Sequence, residues 1–154
     1  MELKEVVEQL EKSGEFKEWK KLNPHYYLAH GFMIYEDAEW QVGYSDGEKV
    51  TTFFLNPVKV MPEQECYKRP GAKVMKLDSS ELKLSLSGAL AVFEKVKSKK
   101  YSAEVVMKKI VLVQNIGKPV YNITGLTVSI KTLNVKVGMD GEVVEDSCKG
   151  IVQQ

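Results

Sequence analysis

The hydrophobic period of this chain switches from that of a helix to that of a strand twice, in the same order both times. Leu3, Val6, Val7 and Leu10 recur at i, i+3, i+4 and i+7, while Glu2, Lys4, Glu5, Glu8, Glu11 and Lys12 fill the opposite face. Ser13-Gly14 interrupts the pattern, and Phe16, Trp19 and Leu22 resume it. The spacing predicts a helix over about 2–21, bent near Gly14 and stopped by Asn23-Pro24. From Tyr26 the period becomes two. Tyr26–Tyr35, then Trp40, Val42 and Tyr44 alternating with Gln41, Gly43 and Ser45, then Lys49–Leu55, all read as strands. Glu36–Glu39 and Ser45-Asp-Gly47 are turn signals between them.

Pro62–Pro70 carries the composition of a linker or long loop, and Val74–Leu77 could be a short edge strand. Asp78-Ser-Ser-Glu81 has the form of a capping box. It would open a helix over about 80–98 whose stripe is Leu82, Leu86, Ala89, Leu90, Phe93 and Val96. Strands return at Lys109–Gln114, Val120–Thr124 and Thr127–Val137, with Met139–Glu142 as a hairpin turn into Val143-Val144. The segment from Asp146 onward is polar and predicts a loose tail.

The coarse order is helix, three or four strands, loop, helix, four strands. Phe32-Met-Ile-Tyr and Trp40-Gln-Val-Gly-Tyr lie 79–81 residues before Val111-Leu-Val-Gln and Tyr121-Asn-Ile-Thr-Gly. Matched periodicity at that offset suggests an internal duplication. The expectation is an α+β fold built from two helix-plus-antiparallel-sheet units, residues 1–77 and 78–154, packed as one pseudo-symmetric domain. Either half alone would have a marginal core, and the two could pool theirs.

The second half resembles the PepSY domain, and with it the neighbouring cystatin-like folds. A helix is followed by a strand bearing an aromatic, Tyr121, and then by closing strands ending Asn134-Val-Lys-Val-Gly-Met-Asp-Gly-Glu-Val-Val144. Val135, Val137, Gly141, Glu142 and Val143 match the family's hydrophobic-x-hydrophobic-x-x-x-Gly-Glu-Val pattern. In the first half Trp40-Gln-Val-Gly-Tyr resembles the family's Trp-x-Val strand, although no Asp-Gly-Glu-Val closure follows it. The resemblance implies a mostly non-catalytic domain with an inhibitory or regulatory role towards peptidases.

Charge and motif content restrict the function further. The 22 Lys+Arg and 21 Asp+Glu leave a formal charge of +1, and Arg69 is the only arginine. A nucleic acid or anionic membrane is therefore not the default partner, and bidentate arginine recognition is nearly absent. No apolar stretch is long enough to span a membrane. The charged N-terminus does not have the form of a signal peptide. The sequence as given reads as cytoplasmic, or as a secreted or anchored protein trimmed of its leader.

No phosphate loop, HExxH or GxSxG is present, and no cofactor, metal or catalytic residue is expected. His25 and His30 have opposite strand parity, so they would not chelate one metal from a regular strand. Cys66 and Cys148 could form one bridge or remain two thiols. Asn122-Ile-Thr124 fits the glycosylation sequon, which needs a secretory route. The aromatics of 26–47 are not interleaved with any lysine or arginine, which disfavours a single-strand stacking platform and favours core and sheet-face packing over an apolar ligand pocket between helix and curved sheet.

The leading functional expectation is a non-enzymatic module that recognises protein or peptide through a sheet edge or concave sheet face. Trp40, Tyr44, Tyr35 and Tyr121 are its candidate binding residues. The alternatives are an apolar-ligand carrier, a pocket enzyme using the first-half aromatics with His25 and His30, and a structural protein forming a homodimer.

Overall fold

Ser13 splits the first helical stretch in two. Its hydroxyl accepts the Phe16 amide at 3.2 Å, an N-cap that ends α1 (Leu3–Lys12) and begins α2 (Gly14–Leu22). The computed structural model describes residues 1–61, 64–65 and 74–151. The first half continues with β1 (Tyr27–Ile34), β2 (Gln41–Ser45), β3 (Lys49–Phe54) and the two-residue strands β4 (Lys59–Val60) and β5 (Gln64–Glu65). The second half carries α3 (Leu86–Lys100), β6 (Val106–Asn115), β7 (Pro119–Thr127), β8 (Lys131–Gly138) and β9 (Val143–Gly150). The fold is α+β.

All strands pair antiparallel in one sheet of order β4-β3-β2-β1-β6-β7-β8-β9, with β5 also on β3. The first strand of each half therefore lies at the centre, and the later strands run outward from it in opposite directions. His30↔Gln114, Phe32↔Leu112 and Ile34↔Ile110 are partners across this seam.

The helices stack on one face of the sheet. Leu3, Val6, Val7 and Leu10 of α1, Phe16 of α2, and Ala89, Phe93 and Val96 of α3 are buried against Met33, Val42, Phe53, Val111, Val113, Ile123, Leu133 and Val135. Apolar burial of this kind is the main favourable term in the fold. Gly31 lets α1 approach the central strand, since a Cβ there would lie 2.5 Å from Leu3 Cδ2.

Two aromatic donors repeat one tie. Trp40, just before β2, donates its Nε1–H to the Met1 carbonyl at 2.9 Å. Tyr121 in β7 donates its hydroxyl to the Leu84 carbonyl at 2.5 Å. Met1 and Leu84 each lie two residues before their half's first helix. A third tie crosses the halves: the Glu2 carboxylate accepts the Leu86 amide at 2.8 Å, completing the start of α3.

Three local expectations are corrected. Asp78 caps only a single 3-10 turn, Ser79–Glu81, and α3 starts later, where the Ser85 hydroxyl accepts the Gly88 amide at 3.0 Å. Leu82 thus lies outside the helix. Residues 74–77 form no strand; the Leu77 amide bonds the Leu28 carbonyl beside a β1 irregularity, and Leu77 is buried. The tail from Asp146 is the body of β9, held because Asp146 accepts from Tyr101 at 2.7 Å and from Lys100 at 3.0 Å. The linker expected at 62–70 lies largely outside the described residues, as does Cys66. Cys148 is half-buried on β9 opposite Leu133.

Gly31→Ala should destabilise the chain by about 1–3 kcal/mol, because the buried Leu3 has little room to yield. Denaturant unfolding of Gly31→Ala, of Leu3→Ala and of the double variant Gly31→Ala/Leu3→Ala checks this. In the double variant part of the glycine effect should vanish, since the clash partner is gone.

Candidate functional site

Side chains alternate along a strand, so the residues next to the core positions emerge on the helix-free face. At the central seam these are Phe32 and Ile34 of β1, directly opposite Leu112 and Ile110 of β6. All four are half-buried, while their neighbours Met33, Val111 and Val113 are fully covered on the helix side. They form a contiguous apolar stripe to which no described helix contributes cover.

Beside the stripe stands a ladder of side-chain amides. Asn134 on β8 donates its Nδ2 to Asn122 Oδ1 at 2.6 Å and to Thr124 Oγ1 at 2.9 Å. Asn122 in turn reaches Gln114 Oε1 at 3.4 Å. Lys136 closes the row with Glu145 on β9 at 3.1 Å. Asn122, the sequon residue, is thus a mid-strand member of this ladder.

His30 lies on the same face, flat against β2. A Cβ at Gly43 would lie 2.4 Å from its ring, so the glycine is what admits the imidazole. Burial lowers the His30 pKa below its ordinary 6.5, because desolvation penalises the charged form. His25 lies outside β1, exposed, with Nε2 4.0 Å from Asp46 Oδ2. The two histidines are not brought together. Among the described residues no three His, Cys, Asp or Glu side chains are grouped to hold a metal.

The four aromatic candidates from the sequence do not converge. Trp40, Tyr44 and Tyr121 are buried in the core, and Tyr35 is exposed with Lys109 Nζ 5.1 Å from its ring centre. Trp40 borders a cavity of about 310 Å³ with Val6 and Leu55, and Tyr121 borders another of about 200 Å³ near Leu84. Tyr44 borders a third, of about 360 Å³, with Glu11, Phe16, Lys20, Tyr26 and Leu77. Its hydroxyl donates to Glu11 Oε2 at 2.8 Å. Burial first, then the Glu11 charge and hydrogen bond, push the Tyr44 pKa well above the usual tyrosine range. Lys20 at this cavity is committed to the Pro24 and Tyr26 carbonyls. The first-half rings pack on one another, Phe16 with Tyr44 at 4.9 Å, Trp19 with Phe53 at 5.0 Å and Phe16 with Phe53 at 5.4 Å.

Sequence reasoning did not single out Phe32, Ile34, Ile110 and Leu112 as a surface. The signal was present in Ile110–Val113, a run apolar on both faces of its strand. Such a run is expected where both faces are covered, and here the described helices cover one.

No family model matches the chain, and no curated protein does. A solved structure does, that of a "putative lipoprotein" from Clostridium difficile 630. It is 12% identical, covers 88% of this chain and 90% of its own, and superposes with a TM-score of 0.52. At that identity the likeness is one of fold.

Because the folded pKa of His30 is lowered, the unfolded chain takes up a proton on this residue first as pH falls. Stability should therefore decrease as pH drops through 6.5 and level off once the folded form is protonated too. Thermal unfolding between about pH 7.5 and 5 checks this; His30→Gln should remove the His30 part of the slope. An unchanged slope would place the titrating group elsewhere.

Proposed function

We propose that this chain is a non-enzymatic binding module that takes an extended protein segment across the helix-free face of its sheet. The observation that carries the reading is the apolar stripe of Phe32, Ile34, Ile110 and Leu112 beside the amide ladder of Gln114, Asn122 and Asn134. An extended segment offers side chains at alternate positions and a row of backbone donors and acceptors between them. Apolar side chains suit the stripe, and amides can both donate to and accept from a backbone.

The same reading treats the two halves as copies of one PepSY-like or cystatin-like unit. Its support is the outward order of strands from the β1–β6 seam and the repeated tie of Trp40 to Met1 and Tyr121 to Leu84. The carrier alternative draws less support, since the first-half rings occupy the space between α2 and the sheet with one another.

Panning a displayed random-peptide library against the full chain tests the reading. Apolar, extended sequences should be enriched, and Leu112→Lys should weaken their binding on the order of tenfold while leaving the Tm nearly unchanged. Loss of the library signal altogether, or equal binding to Leu112→Lys, would contradict it. A peptidase-regulating form of the reading adds a demand of its own. The chain should then inhibit a thermolysin-like or papain-like peptidase stoichiometrically without being cleaved.

A further inference from the structure

At one end of the sheet, five large aliphatic side chains stand together in solvent. Val105 and Met107 precede or open β6, Val128 and Ile130 form the β7–β8 turn, and Ile151 follows β9; each is between 52% and 62% exposed. Four of them adjoin through the backbone, with the Val128 amide on the Val105 carbonyl at 2.9 Å and the Ile151 amide on the Ile130 carbonyl at 3.1 Å, and Met107 lies two residues on from Val105. Isolated exposed apolar residues need no explanation, but a contiguous group does.

Ile130 supplies a second, independent observation. It sits at φ +60°, in the left-handed region that a β-branched residue avoids. Its side chain gains little burial in return. Asparagine or glycine would make this turn with less strain, so the fold itself gives no reason for an isoleucine here.

The surrounding charge is one-sided. Across residues 101–109, 127–132 and 147–151 the only carboxylate side chain is Glu104, against Lys108, Lys109, Lys131 and Lys149. Glu104 is consumed by Lys131 at 2.9 Å and by the Ser129 hydroxyl at 2.6 Å, and Lys109 pairs with Glu94 of α3. Lys108 and Lys149 have no carboxylate partner among the described residues.

We infer that this end of the molecule docks peripherally on an anionic lipid surface. Val105, Met107, Val128, Ile130 and Ile151 enter the headgroup boundary, and Lys108 and Lys149 meet acidic headgroups. Protein anchors are concentrated in aromatic and arginine side chains that fill pockets. None of this tip's five apolar residues is of either type, and none lines a cavity described above. A lipid interface asks only for protruding apolar side chains with flanking cations. Among the described residues no helix is long and apolar enough to cross a membrane, and the inference requires none.

Co-sedimentation of the full chain with vesicles of phosphatidylcholine alone, and of phosphatidylcholine with phosphatidylserine, tests it. Binding is expected on the anionic vesicles, absent on the neutral ones, and reduced by added salt. Ile130→Asn should lower that binding on the order of tenfold, while its Tm holds or rises because asparagine tolerates the left-handed turn. That opposition separates a docking role from a merely structural one. Met107→Gln, away from the strained turn, should weaken binding as well. The inference is overturned if the parent chain stays in solution with anionic vesicles, or if both variants bind as the parent does. It is also overturned if the tip instead drives a concentration-dependent dimer that ignores vesicles and is lost in Ile130→Asn, which would assign the patch to a second copy of this chain.

Discussion

Antiparallel pairing of β1 with β6 is the contact on which the rest of the molecule depends. It is the only strand pairing between the halves among the described residues, and it makes one sheet of two short meanders. A unit of about 75 residues buries too little apolar surface to be comfortably stable. Joined at the seam, the halves place Met33, Val111 and Val113 beneath helices drawn from both. Gly31 keeps the first helix close to that seam, and Glu2 carries its end across to the start of α3. The same pairing sets Phe32 against Leu112 and Ile34 against Ile110, so the candidate binding face exists only because the halves meet there.

Much of this was legible locally. The i, i+3, i+4, i+7 spacing from Leu3 marked the buried face of α1, Ser13 marked the break before α2, and Ser45-Asp-Gly47 marked the first hairpin. Two kinds of feature were not legible. One was competition between adjacent signals: Asp78 and Ser85 are both good caps, and the second starts the helix because Leu84 is tied to Tyr121 and Leu86 to Glu2. The other was long-range pairing. Asp146 looked like a polar tail, and only its contacts with Lys100 and Tyr101 show why that stretch is strand.

Of the candidate site, the doubly apolar run Ile110–Val113 was legible and its partners across the sheet were not. A sheet edge or concave sheet face was anticipated, with Trp40, Tyr44 and Tyr121 among its candidate residues. Here each ring is buried, and each polar tip has a partner within the fold, the Met1 carbonyl, the Glu11 carboxylate and the Leu84 carbonyl. The helix-free stripe uses smaller residues whose role depends on which strand lies next to which. Net charge likewise carries no information on placement. A balance of +1 averages over the molecule, whereas Lys108 and Lys149 stand at an end whose single carboxylate is already occupied.

Methyl-labelled NMR of the full chain, titrated with an apolar extended peptide, tests the central claim most directly, because both faces of one strand report separately. The account predicts shifts at Ile34, Ile110 and Leu112, with Val111, Val113 and Leu133 on the helix side left nearly unmoved. Shifts confined to the methyls around the Tyr44 cavity, at Leu28 and Leu77, would contradict it and place the binding site within the first half.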